Sequence, residues 1–134
     1  MKISDIMTLG AATVTEDMLL SQALRIMANH RISALPVLDG DSQLVGIVTE
    51  GDFVRAGALS ELLSMRDGDR AMALGSRTVE EIMTPNPTAI SPDLPIEDAI
   101  QLMDRRAFRS IPVATDGRVV GVISRSDLLR TLIE

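Results

Sequence analysis

The sequence predicts an α/β (α+β) fold made of two β-α-β-β-α repeats packed with pseudo-two-fold symmetry, and three observations carry that expectation. First, the chain is written twice. Ile6, Met7, Thr8, Asp17, Ala23, Met27, Pro36 and Val37 return as Ile82, Met83, Thr84, Asp93, Ala99, Met103, Pro112 and Val113, at a constant offset of 76. After a one-residue deletion in the turn following Val37, Val45, Gly46, Asp52 and Arg55 return as Val120, Gly121, Asp127 and Arg130, at an offset of 75. Second, apolar spacing in each copy runs first with a helical period and then in short strand-like bursts. Third, 134 residues make one compact domain. Stacked repeat arrays need three or more units to bury a continuous core, so two copies predict a closed pair.

The elements follow in order. A short strand is expected through Thr13-Val14, and again through Ala89-Ile90. Leu20, Ala23, Leu24 and Met27 line one face of a helix, as do Ile96, Ala99, Ile100 and Met103. Glu16 and Asp17 precede the first helix, while Pro95, Glu97 and Asp98 occupy the opening turn of the second. Proline and negative charge are both favoured there. A hairpin comes next: Leu35-Pro36-Val37-Leu38, the turn Asp39-Gly40-Asp41-Ser42 and Leu44 to Val48, matched by Ile111 to Ala114, Asp116-Gly117 and Val119 to Ile123. The proline should put its strand at a sheet edge or strand start, because it cannot donate to a ladder. A closing helix begins near Asp52-Phe53-Val54 and near Asp127-Leu128-Leu129. Residues 1–56 and 78–134 are the two copies, and 57–77 is a linker or insertion. Within it Leu59, Leu62, Leu63 and Met65 extend a helix, and Asp67-Gly68-Asp69 marks a turn.

Composition excludes several functions. A net charge of −6 opposes attraction to nucleic acid and to anionic membrane. Aromatic residues are limited to Phe53 and Phe108, so platforms for stacking single-stranded bases are missing. No run approaches the ~20 apolar residues of a membrane-spanning helix, and Met1-Lys2-Ile3-Ser4-Asp5 lacks the features of a secretory signal. The expected location is cytoplasmic. With no cysteine and one histidine, neither a disulfide framework nor an ordinary zinc site can be assembled, and no nucleophile stands placed for His30 as a base. No metal site and no enzymatic activity are expected. The matched methionines Met7, Met27, Met83 and Met103 read as core filling.

Each copy opens on D/E-I-M-T and carries an apolar-Pro-Val strand. Each closes on Gly46-Ile47-Val48-Thr49-Glu50-Gly51-Asp52-Phe53 or Gly121-Val122-Ile123-Ser124-Arg125-Ser126-Asp127-Leu128. In this order, and twice, these motifs resemble the CBS domain, named after cystathionine β-synthase. The resemblance implies a tandem pair that forms one module and senses adenosine-containing ligands such as AMP, ADP or ATP. S-adenosylmethionine and NAD rank behind them, and a magnesium ion is compatible with ATP. It also implies a homodimer and a regulated partner protein of unknown identity, with no cofactor.

Carried onto this sequence, the resemblance assigns Asp52 and Asp127 to the ribose hydroxyls, which carboxylates bind through charge-assisted hydrogen bonds. Thr49 and Ser124 would bond ribose or the first phosphate beside free N–H groups at a helix start. Gly46 and Gly121 would permit close approach of the ligand. Adenine would lie in the cleft between the copies, against Thr13, Val14, Ala89, Ile90, Pro36 and Pro112. Arg109, Arg125, Arg31 and His30 are phosphate candidates; Arg109 and Arg125 stand where the first copy has Ser33 and Glu50, so the Asp127 site should prefer the more phosphorylated ligand. Three alternatives stand beside this reading, the first an unrecognised enzyme that turns over a nucleotide through His30. Thr49-x-x-Asp52 and Ser124-x-x-Asp127 are also capping-box patterns, and the chain could be a ligand-free dimerisation module.

Overall fold

The computed structural model describes residues 1–55 and 58–133, so the copy boundary at 56/57 and the terminal Glu134 lie outside the described residues. In chain order the elements are α1 (Ile3–Ile6), β1 (Thr8–Leu9), β2 (Val14–Thr15), α2 (Leu20–His30), β3 (Ala34–Leu38), β4 (Leu44–Thr49), α3 (Glu50–Arg55), α4 (Ala58–Ser64) and α5 (Asp67–Ser76). A 3-10 turn (Val79–Glu81) leads to β5 (Thr84–Pro85), α6 (Ile96–Arg106), β6 (Ser110–Thr115), β7 (Arg118–Ser124) and α7 (Arg125–Arg130).

The mixed α/β class holds, but the compact units are not the linear repeats. One unit is residues 12–86; the other joins residues 1–11 to 87–134. Each repeat's D/E-I-M-T segment packs with the body of the other repeat. In residues 12–86 the sheet order is β2-β3-β4-β5, where β5 begins at the threonine of Glu81-Ile82-Met83-Thr84 and pairs antiparallel with β4. In the other unit the order is β1-β7-β6, and β1 pairs antiparallel with β7. The cores follow the same division. Val79 and Ile82 join Val14, Leu20, Leu35, Val37 and Val48 in one cluster, while Ile3 joins Ile90, Met103, Ile111 and Ile123 in the other. The physical cause is burial: Ile3 and Val79 are fully enclosed, and each large aliphatic side chain so removed from water contributes roughly 1.5–3 kcal/mol.

The helical stripes bury Leu20, Ala23 and Met27 on α2, and Ala99 and Met103 on α6. Ile100, expected inward, is 46% exposed at the edge of the stripe. Both helices end on a left-handed non-glycine residue at the same aligned place, Arg31 with φ 52° and Ala107 with φ 56°.

Pro36 corrects the edge-strand expectation, since β3 is an interior strand of its sheet. The equivalent Pro112 explains why this is tolerated. Its carbonyl accepts from Ile90 N–H at 3.0 Å, so its nitrogen faces the same side, where the parallel neighbour is only a single bridge. In the first copy the parallel β2 pairs with β3 only from Val37 onward, so no neighbour needs the missing donor.

Asp67-Gly68-Asp69 is also corrected: it is the first turn of α5 rather than a loop. Two acids at a helix start favour the macrodipole enough to offset one glycine. The helices of 58–76 belong to the 12–86 unit. Leu62 is buried, Leu74 packs on the core, and Arg70 donates to the carbonyls of Leu62, Leu63 and Met65 at the end of α4.

Among the described residues no helix is long and apolar enough to cross a membrane.

Candidate functional site

Each hairpin ends by running straight into a short helix, and a buried aspartate sits at each junction. Asp52 and Asp127 are 4% and 3% exposed, the polar exceptions in an otherwise apolar set of buried residues. Such a group must be hydrogen-bonded or it destabilises the fold. Asp52 is saturated. Its Oδ2 accepts from the Thr49 N–H at 2.7 Å and the Thr49 hydroxyl at 3.1 Å; its Oδ1 accepts from Arg55 Nη2 at 2.5 Å and the Thr84 hydroxyl at 2.7 Å. Four donors fill the roughly four acceptor positions of a carboxylate.

Asp127 repeats the pattern. Oδ2 accepts from the Ser124 N–H at 2.8 Å and the Ser124 hydroxyl at 3.0 Å, and Oδ1 from Arg130 and, at 3.3 Å, from the Thr8 hydroxyl. Among the described residues no buried side-chain polar atom lacks a partner.

The capping box is therefore present in both copies. Thr49 and Ser124 each return an acceptor to the N–H of the aspartate, at 3.2 Å. This narrows the expected free N–H groups beside these hydroxyls to those of Gly51 and Ser126. Besides the Thr49 and Asp52 amides, that of Glu50 donates to Ser33 O at 3.1 Å, and that of Arg125 donates to Arg109 O at 3.0 Å.

The sequence reading missed the threonines of the D/E-I-M-T motif. Thr8 and Thr84 reach the aspartates across 119 and 32 positions of chain. Their recurrence in both copies was the available signal, but only the exchange of segments brings them to the carboxylates.

The glycines make room for the exchanged segments. A Cβ at Gly46 would lie 2.6 Å from Met83 Sδ and 3.1 Å from Thr84 O; one at Gly121 would lie 2.7 Å from Thr8 O and 3.0 Å from Met7 Sδ. The close approach made there is that of the exchanged strand and its methionine. Met7 and Met83 thus serve as packing groups, as expected.

Of the expected adenine contacts, Val14, Pro36, Pro112 and Ile90 are buried, which leaves half-buried Thr13 and exposed Ala89 with surface to offer. Ala89 and Ile90 line an open cavity of about 310 Å³ together with Ser91, Leu94, Asp98 and Arg105. Asp127, Ser124, Arg109 and Arg125 do not line it. Arg109 and Arg125 are both exposed and are brought side by side by the Arg125 N–H to Arg109 O bond. Arg125 Nε also donates to Phe108 O at 3.3 Å. His30 and Arg31 are exposed at the end of α2, without a link to Asp52. Among the described residues no three His, Cys, Asp or Glu side chains are grouped to hold a metal.

A family profile described as CBS domain matches residues 3–59 and 79–134. A CBS domain-containing protein of Dictyostelium discoideum is 34% identical over 133 residues, 98% of this chain and 91% of that protein. A homoserine O-acetyltransferase of Methanohalobium evestigatum is 35% identical over 98% of this chain, which spans only 24% of that enzyme's length. Among solved structures, the CBS domain pair of protein MJ0100 in complex with 5′-methylthioadenosine and S-adenosyl-L-methionine superposes with a TM-score of 0.78 at 28% identity, covering 98% of this chain and 95% of that one.

Proposed function

Because this chain belongs to the CBS domain family, with both copies of the domain present, we propose that it is a regulatory module that binds an adenosine-containing small molecule and reports occupancy to a partner protein. The observation that carries the reading is the paired carboxylate: two buried aspartates at equivalent turns, each pre-oriented by its own cap and each closed on one side by an exposed arginine. A ribose diol engages such a carboxylate through charge-assisted bonds. The fold likeness to a pair that holds 5′-methylthioadenosine and S-adenosylmethionine supports the ligand class.

The finer reading is a nucleotide of the AMP, ADP or ATP type. Arg109 and Arg125 flank the Ser124 turn where Ser33 and Glu50 flank the Thr49 turn, so the Asp127 site takes the more phosphorylated ligand, with magnesium where that ligand is ATP. Exposed Ile100, Leu129 and Leu132 support self-association as a homodimer. Regulation follows if the ligand binds one conformation better than another, a difference that a partner can read. The phosphate-free ligands of the neighbouring structure favour a second reading, an S-adenosylmethionine sensor.

One experiment separates these. The chain has no Trp or Tyr, so purified protein should absorb almost nothing at 280 nm and any carried ligand will appear near 260 nm. Calorimetric titration with AMP, ADP, ATP, S-adenosylmethionine and NAD then ranks them, with Asp52→Asn and Asp127→Asn each expected to weaken binding at its own site at least tenfold, the worth of one charge-assisted hydrogen bond. Binding by none of the five compounds would leave a purely structural module.

A further inference from the structure

Each buried carboxylate is closed by the arginine three residues later in its own helix, Asp52 by Arg55 and Asp127 by Arg130. The two ends of each pair are unlike: the acid is almost wholly enclosed, while the arginine side chains are 68% and 60% exposed. Resting on the reading that ribose binds these acids, we propose that Arg55 and Arg130 determine specificity: each leaves its carboxylate when the sugar arrives and pairs instead with an anionic group of the ligand. The module thereby selects negatively charged adenosine compounds over the uncharged nucleoside.

The argument is one of hydrogen-bond capacity. With all acceptor positions of Asp52 filled, a diol can bind only if one resident donor departs. The Thr49 N–H and hydroxyl cannot leave without opening the start of α3. Thr84 is fixed by the pairing of β5 with β4, at Ile47. The arginine is the partner with least to lose, since an ion pair with one end in water contributes little. Its departure frees one acceptor on Oδ1 for the first sugar hydroxyl. The Thr84 hydroxyl, while donating to Asp52, retains lone pairs that accept from the second. Thr8 does the same beside Asp127.

The displaced guanidinium remains tethered next to the sugar. Arg55 Nη1 lies so close over the turn that a Cβ at Gly51 would be 3.0 Å from it. An uncharged nucleoside would leave that cation without a partner. A phosphate offers it a bidentate acceptor.

The test is calorimetry with adenosine and AMP on the full chain and on the Arg55→Gln, Arg130→Gln double variant, whose changed side chains are mostly in water. The expected result is tighter adenosine binding, weaker AMP binding, and a fall of at least tenfold in the ratio of AMP to adenosine affinity, with the salt dependence of AMP binding reduced. If both compounds bind and their ratio is unchanged, the arginine role is overturned while the sensor reading stands. If neither binds either protein, the reading of an AMP-type site falls and this inference falls with it.

Discussion

The bond between Thr84 and Asp52 makes a sharp quantitative test of how the exchanged segments are held. Thr84→Val removes the hydroxyl while keeping a β-branched residue suited to a strand. The bond it removes is 2.7 Å long and ends on a carboxylate 4% exposed. Hydrogen bonds to charged groups contribute about 1.5–3 kcal/mol; because Thr84 is itself exposed, a coupling of about 1.5 kcal/mol is expected at the lower end of that range. The equivalent Thr8 to Asp127 distance is 3.3 Å, beyond the ordinary O–H···O range. Its coupling should stay below about 0.5 kcal/mol. Asp52→Ala alone is expected to cost about 2–3 kcal/mol, the loss of a cap together with one charge-assisted bond.

Two double-mutant cycles, Asp52→Ala with Thr84→Val and Asp127→Ala with Thr8→Val, isolate the pairwise terms. Urea unfolding followed by far-UV circular dichroism supplies the free energies, since the chain has no tryptophan to report them. Equal couplings in the two cycles, or a Thr84 coupling under about 0.5 kcal/mol, would refute the reasoning from geometry.

Two further outcomes are expected. Gly121→Ala should destabilise by about 1–3 kcal/mol through overpacking, and more than Gly46→Ala, because its new methyl meets the backbone oxygen of Thr8 at 2.7 Å whereas that at Gly46 first meets the flexible Met83 side chain; urea midpoints that rank the two the other way would contradict this. Ala107→Gly should stabilise by about 1 kcal/mol in a thermal melt, since Ala107 caps α6 with φ 56°, and an unchanged or lowered Tm would count against it.

The sequence by itself determined the two amphipathic helices, the two hairpins with their closing helices, and their repetition. Leu20, Ala23 and Met27 announce α2 because the helical period depends only on neighbours within eight positions. The hairpins and both capping boxes are equally local, and Asp52 and Asp127 were legible as special because they recur at one place in two copies. The tertiary structure alone decided which segment completes which sheet. Nothing in the local pattern of Asp5-Ile6-Met7-Thr8 distinguishes pairing with its own repeat from pairing with the other; that choice is made by long-range burial of Ile3 and Val79 and by the room beside Gly121 and Gly46. For the same reason Thr8 and Thr84 became partners of the aspartates only in three dimensions, and the interior place of Pro36 depended on how short its parallel neighbour is, a property of the assembled sheet.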